Sequence, residues 1–125
     1  MKYLKNFESL NKMILMHNKD KSPYMGSTYG QDVEPAGYYS IEFRDFNVLP
    51  NNYEKIEYTY SKPLIINVDD DSLISWKYNL SNEYKATGKD LTKKLLNKGY
   101  DIIITKYPNG ETGEIIILDT KKIYT

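Results

Sequence analysis

A chain of 125 residues is long enough for one hydrophobic core and too short for two, so a single domain spanning residues 1–125 is expected. Seventeen basic side chains balance seventeen acidic ones, which leaves no strong electrostatic case for a nucleic-acid or anionic-membrane partner, with nucleic acid still open as a target. The absence of cysteine excludes disulfides and thiolate metal sites, and no apolar run approaches the roughly 20 residues that cross a bilayer.

In chain order, Leu4, Phe7 and Leu10 at three-residue spacing predict a short amphipathic helix over residues 2–12. The same stretch carries no signal-peptide core, so a cytoplasmic location is expected. The compact apolar run MILMH at 13–17 predicts the first strand. Residues 18–35 hold two glycines, two prolines and many small polar residues. They predict a long loop, and loops of this length are commonly functional; a lid that orders over a ligand is expected there. Residues 37–43 read as a strand entered from Gly37, and 45–52 as a second loop. Residues 53–60 alternate, with Ile56, Tyr58 and Tyr60 on one face and Lys55, Glu57 and Thr59 on the other, the pattern of a half-exposed strand.

Ser61-Lys62-Pro63 breaks that run, and 64–68 predict a short buried strand. Asp69-Asp70-Asp71 lacks the alternate ligands, central glycine and distal glutamate of a calcium loop. It reads as a turn leading to an N-cap at Asp71 or Ser72. Leu73, Trp76 and Leu80 predict a helix over 72–80 with Trp76 as a core anchor. Residues 81–88 are polar, and 89–98 predict a helix whose Leu91, Leu95 and Leu96 face the core. Gly99 suits the left-handed position that closes it. The Ile-rich runs 101–105 and 114–118 suit strands buried on both faces, with Ile103, Ile115 and Ile117 in the core. Pro108-Asn109-Gly110 between them signals a tight hairpin. Strand clusters with helices set among them, rather than in strict alternation, predict an α+β fold.

Much chemistry is excluded. The glycines near Tyr24–Gly30 lack the lysine and the strand–helix context of a phosphate loop. One histidine and no cysteine leave no conventional zinc site, and no nucleophile-elbow pattern accompanies His17. Thirteen tyrosines against three phenylalanines and one tryptophan suit either a Tyr-lined cleft or the codon bias of an AT-rich genome. What remains is His17 at the end of the first strand, the Tyr38-Tyr39-Ser40 segment, and Glu114 at the head of a late strand. Glu114 is there either a placed group or a charge that blunts an apolar strand.

Four segments in order carry a resemblance: Gly37-Tyr38-Tyr39-Ser40, then Ser61-Lys62-Pro63-Leu64-Ile65-Ile66, then Leu95-Leu96-Asn97-Lys98-Gly99-Tyr100-Asp101-Ile102, then Gly113-Glu114-Ile115-Ile116-Ile117-Leu118-Asp119 ahead of Lys122-Ile123. This order resembles the small ADP-ribosyltransferase-like domains of phage and bacterial polyproteins and toxins, over roughly residues 13–124. The resemblance implies a split β-sheet core with flanking helices and an NAD⁺ cleft between two small sheets. It implies that His17 contacts a ribose, that Tyr38 or Tyr39 stacks on nicotinamide with Ser40 beside it, and that Glu114 is the catalytic carboxylate. A carboxylate there would stabilise the positive charge that develops on the ribose as nicotinamide leaves.

Two functions follow. The first is an NAD-dependent ADP-ribosyltransferase or NAD glycohydrolase, a phage or bacterial effector that modifies a host macromolecule. The second is a non-catalytic binding protein on the same fold, for instance a phage-encoded inhibitor that sequesters a host factor or a nucleotide; a host protein is the expected macromolecular partner. Asn18 and Lys19 follow His17 where the family carries glycine and Ser/Thr, which points to the second; Glu114 in register points to the first.

Overall fold

The computed structural model describes residues 11–19, 32–44, 49–69 and 75–123. The helix expected over 2–12 lies outside these apart from its last two residues. So do most of the 18–35 loop, part of the 45–52 loop, and the proposed caps Asp71 and Ser72.

Among the described residues are six strands and two α-helices: β1 (Lys12–Asn18), β2 (Tyr38–Glu42), β3 (Tyr53–Thr59), β4 (Pro63–Asn67), α1 (Ser75–Tyr84), α2 (Gly88–Asn97), β5 (Ile102–Lys106) and β6 (Thr112–Ile117), followed by a 3₁₀ turn, Thr120–Lys122. The strand order is β3-β1-β2-β6-β5-β4. All neighbours are antiparallel except β4 and β5. A parallel pair needs a long crossover, and α1 and α2 supply it. The fold is α+β.

β2 is shared by two halves of the sheet. Tyr38, Tyr39 and Ser40 stand opposite Ile117, Ile116 and Ile115 of β6, whereas Ile41 and Glu42 stand opposite Met16 and Leu15 of β1. Strand alternation then builds two cores. On one face Tyr39, Ile103, Ile116 and Leu118 pack against Trp76 and Leu80 of α1 and Leu91 and Leu95 of α2. On the other, Tyr38, Ile102, Ile104, Ile115 and Ile117 pack against Leu15, Ile56 and Tyr58 of the β1–β3 pair. The first half of the sheet therefore folds over the second. β5 and β6 are covered on both sides, which is why their isoleucines run consecutively instead of alternating.

Local chemistry closes the elements. The Gly99 amide donates to the Leu96 carbonyl at 2.9 Å and the Tyr100 amide to Leu95 at 3.1 Å, with Gly99 at φ +94°. This is the double-bonded glycine stop of a helix. In the hairpin the Gly110 amide donates to Tyr107 at 2.9 Å, the Tyr107 amide donates to Glu111 at 2.8 Å, and Gly110 has φ +89°. Asn109-Gly110 thus forms the end of a three-residue loop with a glycine bulge, not a two-residue mirror turn.

Three expectations are corrected. The run 64–68 is not a fully buried strand: β4 ends the sheet order, and although the helices partly cover Leu64 and Ile66, Ile65 is 41% exposed. The helix expected to end at Leu80 runs on to Tyr84, and the buried Ser81 hydroxyl donates to the Ala86 carbonyl, just beyond the helix, at 2.8 Å. Leu96 does not face the core. The buried stripe of α2 runs through Leu91 and Leu95, and the next residue is rotated about 100° away, leaving Leu96 39% exposed.

Candidate functional site

The strands that carry His17, Tyr38–Ser40 and Glu114 lie side by side in the sheet as β1, β2 and β6. Segments far apart in sequence are therefore neighbours. The His17 ring is buried, its Nδ1 makes a hydrogen bond of 2.9 Å with the Tyr39 carbonyl, and its centroid lies 4.7 Å from that of Tyr38. The Tyr38 hydroxyl donates to Glu54 Oε1 at 2.5 Å, and Glu54 stands opposite His17 on β3. The Ser40 hydroxyl donates to the Ile115 carbonyl at 3.1 Å. His17, Tyr38 and Ser40 all belong to the side where the two sheet halves meet.

Tyr39 and Glu114 belong to the opposite side, under the helices. The Tyr39 hydroxyl donates to the Pro35 carbonyl at 2.6 Å. Burial pushes this phenol well above its ordinary pKa, and the nearby Glu34 and Glu114 carboxylates push it further. It remains a protonated donor and cannot serve as a base. The sheet thus separates the expected site into two groups: His17, Tyr38 and Ser40 on one face, Tyr39 and Glu114 on the other.

At the centre of the second group stands Lys77, which sequence reasoning passed over. It is 1% exposed, with Nζ 2.7 Å from Glu34 Oε2 and 3.3 Å from Glu114 Oε1. The ammonium also sits 5.3 Å from the centroid of Tyr39 and 5.6 Å from that of Trp76, within cation–π range. Glu34 is buried with it, while the Glu114 side chain keeps 25% exposure. Backbone bonds hold Glu34 in place: the Gly88 amide donates to its carbonyl at 3.1 Å, and the Ala36 amide to the Gly88 carbonyl at 3.3 Å. The signal was present in the periodicity. Lys77 falls four residues after Leu73 and three before Leu80, so a charge occupies the apolar stripe of a helix.

A second buried carboxylate, Asp101, stands immediately before β5. Its Oδ1 accepts the Lys62 amide at 2.9 Å, and Oδ2 accepts the Ser61 amide and the Lys122 ammonium, each at 2.8 Å. It thereby ties the β3–β4 turn to the start of β5 and to the 3₁₀ turn. Burial pushes its pKa up, but the Lys122 hydrogen bond and charge and the two amides together outweigh this and hold it below the ordinary value. Among the described residues no group of three or more His, Asp or Glu side chains could hold a metal ion.

The residues expected to hold NAD⁺ are committed to partners within the protein. His17, Tyr38, Tyr39 and Ser40 are all buried, and each has its polar atom engaged within the protein. Lys77 stands over the Tyr39 ring and His17 lies against Tyr38. Between the sheet halves, Leu15, Ile102, Ile115 and Ile117 are in a packed core with no exposure. Comparison with known proteins finds no matching family model, no matching curated protein and no matching solved structure.

Proposed function

We propose that the chain is a non-catalytic binding protein on an ADP-ribosyltransferase-like split-sheet fold, with a host protein as its partner. The observation that carries this reading is the engagement of Glu114. Its carboxylate lies 3.3 Å from a buried ammonium and across the sheet from His17. A carboxylate compensated by a fixed cation is poorly placed to stabilise a second, developing positive charge. The meeting of two sheet halves along β2 supports the fold reading, together with the order of the glycine-tyrosine, lysine-proline-leucine, glycine-tyrosine-aspartate and glutamate segments.

A second reading, an NAD⁺-cleaving ADP-ribosyltransferase or glycohydrolase, is favoured by the adjacency of β1, β2 and β6 and by the partial exposure of Glu114. A calorimetric titration with NAD⁺ and an assay for released nicotinamide separate the two. The binding reading expects no turnover in the wild type or in Glu114→Gln. Turnover in the wild type that falls roughly a hundredfold or more in Glu114→Gln would establish the enzyme and end the binding reading.

A further inference from the structure

We infer that the flank of α2 is a docking surface for an acidic segment of a partner protein that presents one apolar side chain. The inference deepens the binding-protein reading. That reading fails by NAD⁺ turnover, whereas this one fails by events at the groove, so the two are distinguishable.

Lys89 lies three residues before Thr92 and four before Lys93, and Leu96 follows these by four and three, so the four side chains form a single stripe on α2. The stripe borders a groove of about 280 Å³ whose opposite wall comes from Ala36 and Gly37 before β2 and from Leu118 after β6. The Thr92 hydroxyl fixes the spacing by donating to the Ala36 carbonyl at 2.5 Å. Most of the surface the groove exposes is apolar, with Lys89, Thr92, Lys93 and Thr120 among its lining, and Leu96 stands 39% exposed at its edge.

The charge around the groove has one sign. Among the described residues Lys89 and Lys93 line it and no carboxylate does, and neither lysine side chain makes an ion pair or hydrogen bond there. The acidic residue of this helix, Asp90, does not line the groove; it lines a neighbouring depression with Lys94 and Asn97, and Lys93 stands on the ridge between the two. A chain with zero net charge thus presents a local positive rim around an exposed leucine.

Two features favour a protein segment over a nucleic acid. Phosphate backbones are held by many spread cations, and only two border this groove. An exposed leucine beside an apolar trough is instead the core-and-rim arrangement of a protein interface, and a trough of this size takes one large side chain. Acidic residues flanking that side chain would meet Lys89 and Lys93, which steers encounter and fixes register.

The test uses the full chain, isotope-labelled for amide NMR, and three probes: a short blocked peptide of glutamates and aspartates around one central phenylalanine, its glutamine/asparagine counterpart, and a single-stranded oligonucleotide. The acidic peptide is expected to shift the amides of Ala36, Gly37, Lys93 and Leu96, and to bind roughly tenfold or more tightly than the neutral peptide. Leu96→Asp and the double variant Lys89→Glu/Lys93→Glu are expected to abolish those shifts while keeping the wild-type thermal transition, since all three side chains are exposed. Equal affinity for the two peptides, shifts centred elsewhere, or no shifts at millimolar peptide would overturn the inference. So would tighter oligonucleotide binding that survives Leu96→Ala.

Discussion

Lys77 is the side chain whose removal is expected to cost this fold most. Its ammonium lies 2.7 Å from Glu34 and 3.3 Å from Glu114. At an effective dielectric of about 20 these contacts amount to roughly 6 and 5 kcal/mol of attraction, much of it offset by the desolvation of three charges. Lys77→Met keeps the hydrocarbon volume against Tyr39 and Trp76 but withdraws the cation from a buried Glu34. Glu114 is partly solvated and suffers less. Breaking a buried pair in this way costs about 3–5 kcal/mol, a large share of the roughly 5–15 kcal/mol that holds a domain together. Urea unfolding is expected to show that loss, and a thermal scan a fall on the order of 10–20 °C. Lys77→Met combined with Glu34→Gln should regain part of it, because the stranded charge goes too. A Lys77→Met protein within about 1 kcal/mol of wild type would refute the reasoning and mean that Glu34 is adequately neutralised without Lys77.

Ile117 has no exposed surface between the sheet halves, so Ile117→Ala is expected to lower stability by about 2–5 kcal/mol in urea titration. Gly37 is a close-approach position: an added Cβ would lie 2.6 Å from Ile116 Cγ2 and 2.7 Å from the Ile117 carbonyl oxygen. Gly37→Ala is therefore expected to cost about 1–3 kcal/mol by overpacking, read as a lower thermal midpoint. Asp101 has a folded-state pKa below its ordinary value, so its contribution is fully present above the unfolded pKa of about 3.9 and is lost as pH falls through the folded value. The stability gap between wild type and Asp101→Asn should accordingly be constant near neutrality and narrow below about pH 4; a gap unchanged into strong acid would count against it.

Features set by neighbours in sequence were readable before the structure. Gly99 ends a helix because a left-handed residue is needed there, and Asn109-Gly110 marks a turn because the glycine must take positive φ. The isoleucine runs of β5 and β6 announced burial on both faces, and Trp76 and Leu80 announced the buried stripe of α1. What escaped depends on which elements meet. A lysine is normally priced as solvated, so Lys77 becomes a core residue only once Glu34 and Glu114 are known to converge on it. Leu96 looked like a core leucine because apolar composition does not tell which of two adjacent leucines points inward. The expected site residues occupy adjacent strands, yet His17 and Glu114 face opposite ways. That depends on pairing register, which no single strand reveals.

The sharing of β2 has a consequence for how the chain is made. On the ribosome β1, β2 and β3 emerge early, and two of the strand pairs, β1 with β2 and β1 with β3, are available at once. The β6 partner of β2 comes much later: Ser40 and Ile115 are 75 residues apart. Until then the Tyr38–Ser40 edge lacks its β6 partner, carries two tyrosines, and is a template for pairing with another nascent chain. Chains stalled or truncated before the final hairpin should thus be the aggregating species, and appending residues 101–123 from a separate peptide should rescue them.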